Sequence, residues 1–187
     1  MERSDIELVD AHMGGDTESF EILVLRYGKS VYAFATHLVG NAAEAEDVTQ
    51  ETFIKAWRHL DKFDIEKNFK TWLFAIAKNS AFDTLRKKRT IPFSRFEDES
   101  GNNMLLETLT DPEPIPDEIF AKLEAADALH DALPKLSPDM RAVLSLYYGE
   151  ELTFREIGEI LGKPLDTVKS QHRRACIMLA KLLAEQS

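Results

Sequence analysis

The sequence predicts an all-α protein made of two small helical bundles joined by a flexible acidic linker, with a helix-turn-helix in the C-terminal bundle. Apolar residues recur at helical spacing in both halves of the chain, and neither half offers a credible strand ladder. A stretch rich in acidic residues and proline separates the halves and shows little periodicity. We therefore predict a first domain at residues 1–90, a linker at 91–118 and a second domain at 119–187.

The composition is that of an ordinary soluble protein, with 44% hydrophobic and 30% charged residues in a chain of 187. There is no apolar run of about 18 residues and no cationic, apolar leader, so we expect neither membrane insertion nor secretion, and a cytoplasmic location. The single cysteine, Cys176, cannot form an internal disulfide or a thiolate metal cluster. The five histidines are scattered and no paired nucleophile and base is evident, so we predict no metal, no cofactor and no enzymatic activity.

Basic residues are concentrated in a chain whose formal net charge is -10. From Glu66 to Thr90 seven basic residues face two acidic ones, whereas from Ile91 to Asp127 ten acidic residues face two basic ones. Non-specific binding to nucleic acid is mostly electrostatic, so the overall charge disfavours it. Local basic surfaces can still bind an anion that is presented to them.

Four helices are predicted in the first domain, and the second of them ends at the Gly40-Asn41 pair. The third runs from about Ala43 to Leu60, and the fourth from about Lys70 to Arg89. In the second domain, helices over about Ile119 to Leu133 and Pro138 to Tyr148 precede the helix-turn-helix.

The third predicted helix has an acid-rich face with an apolar residue at its centre. Its buried side carries Ala45, Val48, Thr52, Phe53, Ala56 and Leu60. Its opposite side carries Asp47, Gln50, Glu51, Ile54 and Arg58, with Trp57 at the margin. An apolar anchor surrounded by polar groups is typical of a protein contact. A single exposed isoleucine is also common on protein surfaces, so the pattern alone leaves both interpretations open.

The fourth predicted helix combines aromatic, amide and basic residues with those of the loop before it. Trp72, Asn79 and Arg86 are spaced seven apart and form one stripe. The preceding segment adds Phe63, Lys67, Asn68, Phe69 and Lys70. This combination suits unstacked bases beside a phosphate backbone, as in a single strand. Alternatively, Trp72 belongs to the core, and the run from Arg86 to Arg89 is a helix end stabilised by the helix dipole.

Residues 153–175 read TFREIGEILGKPLDTVKSQHRRA and predict a helix-turn-helix. Thr153 and Glu156 form a capping box, Gly162 can end the first helix, and Pro164 suits the first turn of the next. The apolar side of the second helix carries Leu165, Val168, Ala175, Leu179 and Leu182, and its polar side carries Thr167, Lys169, Ser170, Arg173 and Arg174. Such a short-chained cationic face suits a major groove, although it is often only solvated surface. His172 is predicted to be packed rather than to act as a ligand.

Three motifs together resemble a known family. AEAEDVTQETFIKAWRHLDKFD, FKTWLFAIAKNSAFDTLRKKR and LPKLSPDMRAVLSLYYGEELTFREIGEILGKPLDTVKSQHRRA are similar to segments of the extracytoplasmic-function (ECF) group of bacterial RNA polymerase sigma factors, in the sigma-70 family. The resemblance spans nearly the whole chain. The ordered set is more specific than any one motif, because the last also resembles other helix-turn-helix families.

The resemblance implies an alternative sigma factor that binds core RNA polymerase and directs promoter-specific initiation. The first domain would bind polymerase through Asp47, Gln50, Glu51, Ile54 and Trp57. It would recognise and help melt the downstream (−10) promoter element through Lys67, Asn68, Phe69, Lys70, Trp72, Asn79, Arg86, Lys87, Lys88 and Arg89. The second domain would read the upstream (−35) element as duplex through Thr153, Arg155, Thr167, Lys169, Ser170, Arg173 and Arg174. The implied partners are core polymerase, promoter DNA and an anti-sigma factor.

The chain departs from the family pattern at two positions of the recognition helix. Asp166 replaces a common glycine and Gln171 a common arginine, which puts the base contacts in doubt but not the role of the helix. The alternative is a two-domain helix-turn-helix transcriptional regulator of the response-regulator type that does not bind core polymerase. Its receiver domain would need alternating strands and helices with an acidic pocket, and the first 90 residues predict neither.

Overall fold

A computed structural model of the chain describes residues 3–88 and 132–184. All regular structure in these residues is helical, which confirms the all-α prediction. The predicted linker, Arg89 and nearly all of the predicted helix over Ile119 to Leu133 lie outside the described residues.

The N-terminal bundle contains four helices: α1 (Asp5–Met13), α2 (Thr17–Val39), α3 (Ala42–Arg58) and α4 (Phe69–Lys88). The first three each begin after a residue whose side chain accepts a hydrogen bond from the first turn, namely Ser4, Asp16 and Asn41. The turn between α2 and α3 is made by Gly40 at a φ of 70°, a left-handed conformation that glycine adopts without steric cost. These local signals explain where the helices begin and end.

A short 3-10 turn, Leu60–Lys62, follows α3, which ends at Arg58 rather than at Leu60 as predicted. The tighter turn redirects the chain while Leu60 stays 2% exposed, so burial of that side chain does not require the helix to continue. Within the bundle, Phe34 of α2 meets Phe74 of α4 edge to face, with ring centroids 5.4 Å apart. This contact fixes α4 against α2.

The C-terminal bundle contains α5 (Pro138–Leu144), α6 (Phe154–Leu161) and α7 (Leu165–Ala184). The helix predicted over Pro138 to Tyr148 is divided, because a π-helical turn, Ser145–Gly149, follows α5. The predicted capping box of Thr153 and Glu156 is present, and Gly162 ends α6 at a φ of 66°. The predicted helix-turn-helix is therefore confirmed as α6, a turn at Gly162 and α7.

The two bundles pack against each other and share a continuous core. Helix α4 lies against α6, and α2 lies against α5 and the π-helical turn. His37 Nδ1 of α2 is 2.9 Å from Ser145 Oγ, and Lys70 of α4 forms an ion pair with Glu150. Noncovalent contacts, and not only the connecting chain, therefore hold the bundles together in this structure.

Over the described residues, the helices lack the combination of length and apolarity that crossing a membrane requires. Within residues 3–88 and 132–184, histidine, cysteine and acidic side chains do not cluster in a way that could hold a metal ion.

Candidate polymerase and nucleic-acid interfaces

The outer face of α3 brings all five predicted polymerase-binding residues together. Asp47 and Gln50 are exposed and Glu51 is half-buried, while the large side chains of Ile54 and Trp57 are 48% and 57% exposed. The opposite side of the helix holds Ala45, Val48, Thr52 and Ala56, all fully buried. Because that buried side anchors α3, the outer face is presented with two apolar side chains among acidic and amide groups.

The loop before α4 is organised by two of its own polar side chains. Asp64 Oδ1 accepts a hydrogen bond from the backbone N–H of Glu66 at 3.1 Å. Asn68 Oδ1 accepts one from the N–H of Thr71, also at 3.1 Å, so Asn68 caps α4. Lys67 and Asn68 are both exposed, as predicted for residues that contact a partner. Ile65, which was not among the predicted residues, is 55% exposed in this loop. Its apolar side chain within the polar stretch DIEKN is the sequence signal for this position.

Three aromatic rings support this loop from beneath. Phe63, Phe69 and Trp72 have ring centroids 5.1 to 5.6 Å apart. Phe69 is 2% exposed and belongs to the core, whereas Trp72 is half-buried. The ring of Phe69 therefore faces the protein interior in this conformation, and the position of Trp72 agrees with the alternative in which it packs.

Carboxylates accompany most of the predicted cations of α4 and its loop. Lys67 Nζ lies 3.8 Å from Asp64, and Lys70 Nζ lies 2.8 Å from Glu150. Arg86 pairs with Asp83 on the preceding turn, and Lys88 pairs with Glu44 at the start of α3. Lys87 and Asn79 are exposed, and Asn79 Oδ1 accepts a hydrogen bond from Lys78 at 3.0 Å. This surface combines cations and an amide, but its charge is already partly compensated within the chain.

Helix α7 exposes the other predicted basic surface. Thr167, Lys169 and Arg173 are exposed, and Ser170 and Arg174 are half-buried. Three residues of the predicted apolar side, Val168, Ala175 and Leu179, are fully buried. Of the other two, Leu182 is half-buried and Leu165, the first residue of α7, is 40% exposed. The side chains that the projection placed outward therefore share one accessible side of the helix.

The remaining two predicted upstream-element residues lie at the start of α6. Arg155 is exposed in its first turn. The hydroxyl of Thr153 is 2.6 Å from Glu156 Oε2 and accepts from the N–H of Glu156 at 3.3 Å, so it is committed to capping the helix. Thr153 therefore positions Arg155 and the start of the helix-turn-helix.

His172 is packed on the inner side of α7, as predicted. It is 7% exposed, and its ring centroid lies 4.7 Å from that of Tyr147 and 5.1 Å from that of Phe154. Burial lowers the pKa of His172 below its ordinary value, because the charged imidazolium loses its hydration there. The neutral ring thus helps to hold α7 against α6.

Comparison with known proteins connects these surfaces to one family. Residues 23–91 match Sigma-70 region 2, and residues 132–181 match Sigma-70, region 4. The chain is 35% identical over 173 residues to the ECF RNA polymerase sigma factor SigW of Bacillus subtilis (strain 168), a match that covers 91% of this chain and 92% of SigW. It is 31% identical over 183 residues to the RNA polymerase sigma-H factor of Pseudomonas aeruginosa, covering 97% of this chain and 95% of that protein.

Solved structures show the same arrangement of helices. CnrH, solved in complex with the cytosolic domain of CnrY, is 27% identical, with a TM-score of 0.72 over 98% of this chain and 99% of that chain. The sigma factor RpoE of Bartonella quintana, in complex with the anti-sigma factor NepR, is 28% identical, with a TM-score of 0.67 over 90% of this chain and 98% of that one. Both the sequence and the fold therefore lead to the same conclusion: the chain belongs to the ECF group of RNA polymerase sigma factors.

Proposed function

We propose that this sigma factor divides its work among three surfaces. The outer face of α3 binds core RNA polymerase, the loop before α4 together with α4 recognises and helps melt the downstream promoter element, and α6 with α7 reads the upstream element as duplex. The domains proposed for these tasks are residues 1–90 and 119–187, with a linker at 91–118. The observation that carries the proposal is the pair of exposed apolar side chains, Ile54 and Trp57, on the acid-rich face of α3.

The polymerase surface is proposed to work as an apolar centre with an acidic rim. Burying Ile54 and Trp57 in a complex removes apolar area from water, and this contributes affinity. The carboxylates of Asp47 and Glu51 guide a basic partner surface into place. Gln50 adds a side-chain amide that can donate to and accept from the partner.

Charge reversal tests this surface. We expect the double variant Asp47→Lys, Glu51→Lys to weaken capture of core polymerase in a pull-down, because it places cations on the proposed acidic rim. The matched control, Glu21→Lys, Glu159→Lys, makes the same change in net charge at two exposed positions elsewhere and should bind normally. Equal capture of core polymerase by both double variants, with unchanged circular dichroism, would show that the α3 face is not the contact.

The downstream-element surface is proposed to use exposed polar groups for contact and buried rings for support. Lys67, Asn68, Asn79, Arg86, Lys87 and Lys88 can reach phosphates and base edges, and Arg89 extends the basic run. Trp72 and Phe69 hold the loop at the start of α4, and Lys70 lies at the edge of this surface beside Glu150. An exposed amide beside several cations suits the backbone and base edges of an unpaired strand.

The upstream-element surface is proposed to place α7 in the major groove. Lys169, Arg173 and Arg174 supply the cations, Thr167 and Ser170 the hydroxyls, and Arg155 of α6 reaches the adjacent backbone. Arginine pairs well with guanine acceptors, and short polar side chains allow the helix to approach the base edges closely.

Two partners beyond DNA follow from the family likeness. We propose that the chain is held inactive by an anti-sigma factor, since RpoE was solved with the anti-sigma factor NepR. We also propose that it works in the cytoplasm with core polymerase and has no catalytic activity of its own. The alternative of a response-regulator-type protein is disfavoured, because residues 3–88 contain helices where a receiver would need strands.

A further inference from the structure

The contact between the bundles includes one residue of the proposed downstream-element surface. Lys70 Nζ lies 2.8 Å from Glu150 Oε2 and donates a second hydrogen bond to the backbone oxygen of Glu150 at 2.9 Å. The two side chains are 26% and 8% exposed, so solvent screens this pair much less than a surface ion pair. One ammonium group of α4 is thus engaged twice by a single residue of the C-terminal bundle.

The turn that carries Glu150 is held in place by the fold. Glu151, the next residue, has a φ of 54° and is the only described residue other than glycine in the left-handed region. Leu152 is 6% exposed, and its N–H donates to the oxygen of Leu146 at 3.1 Å. Packing on both sides of this turn therefore sets the direction of Glu150, because a left-handed non-glycine residue persists only where its surroundings determine it.

Charged groups of the C-terminal bundle also lie near α4 farther along the same interface. Lys163, in the turn of the helix-turn-helix, pairs with Asp139 of α5 at 2.5 Å. Burial lowers the pKa of Lys78 of α4, while the nearby carboxylate of Asp139 partly offsets that shift. The side of α4 that begins at Lys70 and continues to Lys78 therefore faces charged groups of the C-terminal bundle rather than open solvent.

We infer that Glu150 is an internal competitor for DNA and keeps the unbound chain closed. This inference rests on the function proposed above, in which Lys70 belongs to the downstream-element surface. The Glu150 carboxylate pairs with the Lys70 ammonium group, which would otherwise contact a phosphate. The same ion pair holds the turn before α6 against α4. Opening the chain separates the bundles and releases Lys70 at the same time, so bundle separation and access of DNA to Lys70 are one event.

The test compares neighbouring glutamates in the free chain. Glu150→Gln removes the charge that faces Lys70, whereas Glu151→Gln makes the same change in net charge at an exposed position one residue away. Small-angle X-ray scattering measures the radius of gyration, and fluorescence anisotropy measures binding of a labelled random single-stranded oligonucleotide at low salt. We expect the radius of gyration of Glu150→Gln to exceed that of Glu151→Gln. We also expect Glu150→Gln to bind the oligonucleotide about three- to tenfold more tightly, as one added phosphate contact would produce.

A second variant separates opening from the release of Lys70. Lys70→Gln should also enlarge the free chain, but without the gain in oligonucleotide affinity, and adding Glu150→Gln to it should produce no gain either. Circular dichroism checks that all variants remain folded. The inference is overturned if Glu150→Gln matches Glu151→Gln in size, or if it enlarges the chain without tighter binding.

Holoenzyme measurements distinguish this inference from the function on which it rests. In the holoenzyme the bundles are already engaged by polymerase, so Glu150→Gln should transcribe at the level of Glu151→Gln. Failure of the unmodified chain to form a transcribing holoenzyme would contradict the proposed function. Normal transcription with no difference between the two free-chain variants would contradict only the role of Glu150.

Discussion

The two basic surfaces of this protein differ in how many carboxylates of the same chain lie beside their cations. On α4 and its loop, Lys67, Lys70, Arg86 and Lys88 each lie within ion-pair distance of a carboxylate of the same chain. Helix α7 contains a single acidic residue, Asp166, near its start. The surface proposed to bind an opened strand must therefore exchange internal carboxylates for phosphates, whereas the helix proposed to read duplex DNA contributes one carboxylate, near its start.

This difference suits the order of events at a promoter. A helix face that is already exposed in the free protein can bind duplex DNA directly, since the major groove exists before binding. A melted strand exists only after polymerase has engaged the promoter. Until then, pairing of the α4 cations with carboxylates of the same chain reduces non-specific binding of the free protein to nucleic acid. The partners that positive charges have in the free protein therefore describe a nucleic-acid surface better than the number of those charges does.

The largest expected effect concerns the geometry that presents α7. A Cβ added to Gly158 would lie 2.8 Å from the backbone oxygen of Lys163, so Gly158→Ala must displace the α6–α7 turn. We expect a loss of about 1–3 kcal/mol in the free energy of unfolding, as for other overpacked sites. Urea denaturation measures it. The control is Gly149→Ala, where the nearest atom is 3.9 Å away; comparable losses in both variants would contradict the steric explanation.

The next effect concerns sequence reading by α7. We expect Arg173→Ala to relax base preference at one or two positions of the upstream element, because a bidentate arginine is worth about 1–3 kcal/mol against the wrong base. Transcription by holoenzyme from a library of upstream elements measures this. Asp166 near the helix start complicates the contacts, since a carboxylate repels phosphate but can accept from cytosine. An unchanged preference profile in Arg173→Ala would mean that α7 only positions the protein.

A smaller effect compares one lysine from each surface. Lys169→Ala on α7 should lower the slope of log affinity against log salt by roughly one, as loss of one phosphate contact does. Lys88→Ala on α4 should lower it less, because Glu44 already shares the charge of Lys88 in the free chain. Promoter binding by holoenzyme at several salt concentrations measures both slopes. If Lys88→Ala had the larger effect, the compensated surface would contribute more of the electrostatic affinity than we propose.

The smallest expected effect is a pH dependence of the free energy of unfolding that originates at His172 of α7. Because burial lowers the pKa of His172, the folded chain stays neutral there while the unfolded chain takes up a proton below about pH 6.5. Stability should therefore fall as the pH drops from that value towards the folded-state pKa. The α4 surface rests instead on Phe63, Phe69 and Trp72, which do not titrate.

Thermal denaturation between pH 5 and 7 tests this point. We expect His172→Phe to show a flatter dependence of the melting temperature on pH than the unmodified chain. His59→Phe, at an exposed position after α3, is the control and should keep the original dependence. Identical pH profiles for the unmodified chain and His172→Phe would remove His172 as the source.

Local signals made much of the fold predictable. The capping box at Thr153, the left-handed glycines Gly40 and Gly162, and the helical spacing of Val168, Ala175 and Leu179 involve residues within a few turns of one another. Their conformations follow from short-range sterics and hydrogen bonding, so the sequence indicates them directly. The exposed face of α3 was predictable for the same reason, because one buried side of a helix determines its opposite side.

The helices, the helix-turn-helix and the two basic segments follow from the amino-acid sequence alone, since each depends on neighbouring residues. Three other features became evident only from the folded arrangement of the helices: Phe69 packs inward, the chain makes a π-helical turn after α5, and Lys70 meets a carboxylate eighty positions away in the chain. These outcomes depend on which elements pack together. Ion pairing and burial act over a few ångströms in space, so a one-dimensional pattern of charge and polarity cannot reveal which distant residue becomes the partner.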